Sequence, residues 1–224
     1  MSTSASRAFP ELLREKLAGL VELAPGQIQA LQNHYELLLR WNRVLNLTAI
    51  DSLEEAVERH YCESLFLAVH LPPEPLLIAD IGSGGGFPGL PVAVLRPDCR
   101  VTLIESHQRK AVFLREATRN MPNIEVLGKR AQVVVAQASE RSVPGFLSLS
   151  VAKRFDRGIS RAVSYKDLAP VLKLLAPAAD LLTGGEEPPA DLCFTWNTAV
   201  ALPWGRNRFL RSGVFDVSRG TTDS

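Results

Sequence analysis

Five glycines within eight residues, Gly82-Ser83-Gly84-Gly85-Gly86-Phe87-Pro88-Gly89, constrain this chain more than any other feature. The run follows a short apolar stretch, Leu76-Leu77-Ile78-Ala79, and an acid, Asp80. Glycine accepts positive φ and lets a ligand approach the backbone closely. A strand feeding such a loop, with a helix after it, opens a doubly wound sheet in which ligands bind beyond the carboxyl ends of the strands. The chain downstream keeps that rhythm. Apolar runs predict strands at 100–104, 124–127 and 155–160, and helical spacing covers 108–120, 132–140 and 165–175. Such alternation implies a parallel sheet covered on both faces. Two last apolar stretches, 192–202 and 208–217, flank Pro203-Trp204-Gly205-Arg206-Asn207 and predict a closing antiparallel pair.

Before residue 75 the pattern is helical. Leu12, Leu13, Leu17 and Leu20 recur at helical spacing. Pro25-Gly26 reads as a break. A longer helix is predicted over 27–44, with Ile28, Leu31, Tyr35 and Leu38 on one face. A third begins at Ser52, where Ser52 and Glu55 have capping-box spacing, and ends before Pro72-Pro73. The expected organisation is a helical extension, 1–74, and an α/β domain, 75–224.

Composition narrows the class. The 224 residues are 46% hydrophobic, enough for a substantial core, and carry a formal charge of only +1. Any nucleic-acid surface would therefore be a local basic patch. Cys62, Cys99 and Cys193 follow no metal spacing and read as reduced thiols. No metal site is expected. No apolar run is long enough to span a membrane, and no start resembles a signal peptide, so a cytoplasmic protein without membrane contact is expected.

Two cofactors compete for the loop. Gly84-x-Gly86-x-x-Gly89 spells the dinucleotide fingerprint. Asp80-x-Gly82-x-Gly84-x-Gly86 fits S-adenosylmethionine, whose sulfonium and ammonium favour a nearby carboxylate. Pro88 also lacks a backbone donor that a pyrophosphate would use. Glu105, ending the second strand, suits the ribose of either cofactor.

The loop with Leu90-Pro91 resembles the motif of the small-subunit ribosomal RNA methyltransferase G family, also called glucose-inhibited division protein B. Further matches are 41–50 (Trp-Asn-Arg-Val-Leu-Asn-Leu-Thr-Ala-Ile), Arg59-His60 with Glu63-Ser64-Leu65, and Glu105-Ser106 with Arg109-Lys110 and Phe113-Leu114. Arg130-Ala131 and Ser160-Arg161-Ala162-Val163 complete the set. The resemblance spans about 30–175. It implies a class I, Rossmann-like S-adenosylmethionine-dependent methyltransferase acting on N7 of a guanine in bacterial 16S ribosomal RNA. The partner is that RNA or the 30S subunit, and the protein is expected to be a monomer. The implied cofactor contacts are Gly82, Phe87, Glu105, Ser106, His107, Ala131, Gln132 and Arg161, to which the loop's own pattern adds Asp80, Gly84 and Gly86. Three features depart from the family pattern. Gln132 replaces a usual acid, Thr183-Gly184-Gly185 stands where Lys-Gly is common, and the basic tail is missing.

Guanine N7 already exposes a lone pair. Methylation there needs no strong general base, so positioning carries the chemistry. No Asn/Asp-Pro-Pro-Tyr motif for exocyclic amines and no Pro-Cys nucleophile follows the fourth strand. Arg161 and Asn46 are the candidate catalytic residues. Arg161 is also readable as a solvated ion-pair partner, and Asn46 as a helix cap. Lys129-Arg130, Lys153-Arg154, Arg157 and Arg161, with Arg40, Arg43, Arg59 and His60, form a candidate basic rim for phosphates. Phe87 either lines the pocket or packs in the core; Trp41 and His60 read as packing residues. The rival functions are a nucleotide-dependent oxidoreductase and a ribosome-assembly factor with a vestigial site.

Overall fold

The computed structural model describes residues 8–140 and 155–216. Four helical segments come first: α1 (Phe9–Leu17), α2 (Pro25–Leu45), α3 (Leu53–Ala56) and α4 (Glu63–His70). A π-helical turn, Val57–Cys62, joins α3 to α4. Then β1 (Leu77–Ile81), α5 (Gly89–Leu95), β2 (Arg100–Ile104), α6 (Gln108–Ala117), β3 (Ile124–Leu127) and α7 (Ala131–Glu140) alternate. After β4 (Arg157–Arg161), α8 (Tyr165–Leu175) and β5 (Ala178–Thr183) come β6 (Phe194–Trp196), β7 (Val200–Ala201) and β8 (Phe209–Phe215).

The strand order is β3-β2-β1-β4-β5-β8-β6, with β7 also on β8. Pairs among β1 to β5 are parallel. The strand β8 runs antiparallel to each of its neighbours, β5, β6 and β7. This is the expected α/β sheet with a closing antiparallel element. The predicted strand 192–202 is two short pieces, β6 and β7, and the Asn197 N–H bonds Ser212 between them.

Alternation along the strands divides the core in two. Ile78, Val101, Leu103, Ile159 and Leu182 face a cluster shared with α1, α2, α4, α5 and α6. Ala79, Ile81, Ile104, Ala179 and Leu181 face the cluster under α8. The N-terminal helices therefore cover one face of the sheet. Their docking is fastened at the far end too, where Trp204 Nε1 donates to the Lys16 carbonyl at 3.1 Å.

Several local expectations change. Pro25 starts α2 instead of ending its predecessor, because its fixed φ and missing donor suit a first helical turn. Ser52 caps α3 by accepting from the Glu55 N–H, but the Glu55 side chain pairs with Arg59 instead of returning to Ser52. The third helix is interrupted by the π turn, which periodicity does not reveal. Among the described residues, no helix is long and apolar enough to cross a membrane.

Leu65 is fully buried in the shared cluster. Leu65→Ala is expected to cost about 2–5 kcal/mol in urea unfolding; a loss under about 0.5 kcal/mol would mean that the helices do not pack on the sheet as described.

Candidate functional site

The loop is held by groups from three directions. Asp80, fully buried at the end of β1, accepts the Gly89 N–H through Oδ2 at 3.0 Å, at the first residue of α5. Its Oδ1 has no hydrogen-bond partner among the described residues. Burial pushes the carboxyl up to about 7 against the help of Gly89 and Ser83. Glu105, at the end of β2, accepts the Gly84 N–H at 2.9 Å and the His107 N–H at 2.7 Å. Gly82, Gly84 and Gly86 all have positive φ. A Cβ on Gly82 would lie 2.5 Å from Val163 Cγ2, whereas one on Gly84 would meet nothing closer than 3.9 Å. Gly84 thus faces open space, and Gly82 admits no side chain.

From behind, α2 supplies His34. Its Nε2 faces the Gly85 carbonyl at 3.0 Å and its Nδ1 faces the Tyr61 hydroxyl at 2.9 Å. A neutral ring donating from Nε2 to the carbonyl and accepting from Tyr61 satisfies both contacts. Burial pushes His34 down to about 4, which keeps it neutral.

The π turn brings His60 onto the loop, stacked on Phe87 at 4.5 Å and 14°. Its Nε2 faces Thr48 Oγ1 at 2.7 Å and its Nδ1 accepts from Arg161 Nη2 at 2.7 Å. Burial and the Arg161 charge hold His60 neutral, down at about 2. Arg161, ending β4, also donates to the Arg59 carbonyl and lies 5.1 Å from the Phe87 ring centre. Burial lowers it to about 10, so it stays charged at neutral pH. Asn42 brackets Thr48, its side chain bonding both the Thr48 N–H and carbonyl at 2.9 Å. The Trp-Asn…Asn-Leu-Thr segment is thereby tied to Arg161 through His60.

Beside the loop lies a cleft of about 340 Å³, lined among others by Gly82, Ser106, Ala131, Gln132, Val163 and Asp167. Lys129 and Arg130 stand on its rim. Sharing Val163 with it, a second cavity of about 220 Å³ lies between the ends of β4 and β5.

A family model described as rRNA small subunit methyltransferase G matches residues 27–175. The chain belongs to that family. A Chromobacterium violaceum protein named ribosomal RNA small subunit methyltransferase G is 36% identical over 165 residues, covering 72% of this chain and 70% of that protein. A Nitrosospira multiformis protein of the same name is 39% identical over 175 residues, with 77% and 70% covered. An Aquifex aeolicus structure described as a SAM dependent methyltransferase superposes with TM-score 0.51 at 16% identity, covering 72% of this chain and 93% of that one. That likeness shows the fold alone.

In this member of the methyltransferase G family, the expected cofactor residues divide. Gly82, Ser106, Ala131 and Gln132 line the cleft, with Gly84 and Glu105 joined at its edge. His107 contributes its backbone N–H while its side chain is exposed. Gly86 packs inward, where a Cβ would sit 3.3 Å from His34 Nε2. The Phe87 ring takes the core-packing alternative, buried in the aromatic cluster of His34, His60 and Tyr61 and not among the residues lining the cleft. Asp80 reaches the α5 backbone, and Arg161 the π turn. Asn46 takes the helix-cap alternative, exposed at the end of α2 with φ 48°.

The basic rim is smaller than expected. Arg157 opens β4 at the opposite end of the sheet and pairs with Asp180 at 2.6 Å. Arg59 pairs with Glu55 on the exposed helix surface. Lys153-Arg154 and the tail beyond residue 216 lie outside the described residues. Missed by the sequence reading were His34, Tyr165, Asp167 and the Glu63–Arg208 pair. His34 had a signal, since a histidine at spacing three and four from Leu31 and Leu38 sits on the buried helix face.

His34 binds a proton more readily unfolded, near 6.5, than folded, near 4. Its contribution is therefore intact above about pH 6.5 and lost as pH falls toward 4. His34→Gln keeps a donor for the Gly85 carbonyl but cannot titrate. The difference in unfolding free energy between wild type and H34Q should shift by roughly 3 kcal/mol between pH 7 and pH 4. A pH-independent difference would remove His34 from the buried clamp.

Proposed function

We propose that this protein transfers the methyl group of S-adenosylmethionine to N7 of a guanine in bacterial 16S ribosomal RNA, free or within the 30S subunit. The carrying observation is the cleft that joins Gly82, Ser106, Ala131 and Gln132 beside Glu105 at the end of β2. Each Glu105 oxygen accepts one backbone N–H, which leaves lone pairs for two ribose hydroxyls. Ala131 and Gln132, at the start of α7, would flank the adenine, with Gln132 accepting from its amino group. The open side of Gly84 would admit the amino-acid end against bare backbone. When bound, the cofactor supplies an electrophilic methyl carbon on sulfur.

The protein's own work is orientation. N7 would attack that carbon as a free lone pair, with the bonding pair going to sulfur, so no residue of this chain would need to remove a proton. Arg161 is fixed by the Arg59 carbonyl and His60, so it holds the loop's aromatic exit against the tip of β4. We read residues 75–224 as the methyltransferase domain, 1–74 as its helical extension, and the protein as a cytoplasmic monomer.

The dinucleotide alternative fits poorly. A pyrophosphate would need the backbone donors at the α5 N-terminus. The Gly89 N–H is already given to Asp80, whose partly charged carboxyl would face the phosphates.

Incubation with labelled cofactor and undermethylated 30S subunits or 16S RNA should yield 7-methylguanosine by mass spectrometry of the digested RNA. Label in neither acceptor, or label at another base atom, would overturn the reading. Glu105→Ala should weaken S-adenosylhomocysteine binding by about tenfold or more in calorimetry, the loss expected for hydrogen bonds to a charged group.

A further inference from the structure

The second cavity shares Val163 with the cofactor cleft and has partly apolar walls. Val163, Leu168, Leu181 and Leu182 contribute apolar surface, and Tyr165 stands among them with its hydroxyl donating to the Glu186 carbonyl at 3.1 Å. Among the described residues, the cation that lines it is Arg208, from the turn before β8. That guanidinium is tightly held. Glu63, fully buried at the start of α4, accepts from Arg208 Nε at 3.0 Å and Nη2 at 2.6 Å. These two bonds leave Nη1 with no hydrogen-bond partner among the described residues, on a residue that lines the cavity. A buried carboxylate that grips an arginine this way fixes its plane and offsets its charge. What Arg208 can then offer is a directed hydrogen bond.

Resting on the guanine-N7 reading, we propose that this cavity receives the target base and that Arg208, held by Glu63, is the specificity-determining residue that donates to guanine O6. O6 and N7 lie on the same edge of guanine, and adenine presents an N6 amino donor in place of O6. A donor on O6 therefore places N7 beside it, toward Val163 and the cofactor cleft. With Nε and Nη2 engaged by Glu63, Arg208 contacts O6 and leaves the N7 lone pair free for attack. Adenine would set donor against donor and leave the free Arg208 N–H without an acceptor, the kind of mismatch that discriminates strongly. Glu63 acts through Arg208 and is a positioning residue.

The test is methyl transfer to undermethylated 16S RNA in 30S subunits, and to the same RNA carrying adenosine at the modified position. Arg208→Gln, whose amide can donate or accept, is expected to lower kcat/KM on guanosine about tenfold or more. It should also narrow the guanosine-to-adenosine preference by a similar factor, with affinity for S-adenosylhomocysteine within about twofold of wild type. Because R208Q leaves Glu63 buried without its partner, E63M/R208M serves as a second variant that removes both charges. It should keep the wild-type melting temperature within a few degrees and show the same drop in kcat/KM. An unchanged base preference in R208Q, or wild-type kcat/KM in the folded double variant, would overturn the assignment. So would a salt-dependence slope reduced by about one with base preference intact, which would make Arg208 a phosphate contact. Failure of the wild-type enzyme to label any RNA would instead overturn the N7 reading, and the assignment with it.

Discussion

A carboxylate with no exposure to water, bonded to one backbone N–H, is an expensive way to end a strand, yet the loop is organised around it. Asp80 leaves β1 and catches Gly89 at the first turn of α5, so the chain between them must close a short path. Within that path Gly82, Gly84 and Gly86 take φ values that side-chain-bearing residues avoid. A Cβ on Gly89 would come within 2.6 Å of Asp80 Oδ2, so the contact also requires glycine at its far end. The positive end of the helix dipole offsets part of the desolvation. The remainder shows as a carboxyl pushed up to about 7. The same bond occupies the anion site that a dinucleotide would use, so one interaction shapes the loop and narrows its ligand.

The helices before residue 75 are not an appendage to this arrangement. His34 reaches the Gly85 carbonyl from α2, and the π turn presents His60 to Phe87 and Arg161. A π turn inserts a residue into the helical repeat and rotates the helix beyond it, and such turns recur at functional sites. Here it frees the Arg59 carbonyl for Arg161 and places Glu63 toward Arg208 in the next helical turn. Both histidines are buried and neutral, so they act as fixed hydrogen-bonding partners and carry no charge into the loop.

Much of this was legible in the sequence. The alternation after residue 75 and the glycine loop stand where the pattern put them, and Glu105 follows β2 directly, because period and strand ends determine which residues reach the carboxyl edge. Ala131 and Gln132 were singled out only by the family resemblance. The rest depends on contacts between distant segments. Nothing local to Phe87 says that a histidine 27 residues earlier will stack on it. Arg157 and Arg161 look alike in sequence, yet they lie at opposite ends of β4, so only one can belong to the site. Asn46 carried both a cap and a catalytic reading, and the structure shows its cap position, with a left-handed backbone that asparagine tolerates well. Glu63 and Arg208 are 145 residues apart, and only the packing of α4 against the β5–β8 region joins them.

The tip of β4 is where these layers meet. Arg161 turns toward the helices, and Val163 presses on Gly82 from the sheet side, with Ala162 between them at φ 61°. A non-glycine residue in the left-handed region costs on the order of 1 kcal/mol and persists only where its surroundings hold it. Here both neighbours are held: Arg161 by the π turn and Val163 against the glycine it excludes a side chain from. The strained residue lets the positions on either side of it, Arg161 and Val163, turn to different neighbours. Val163 then lines both the cleft beside the glycine loop and the cavity that Arg208 lines.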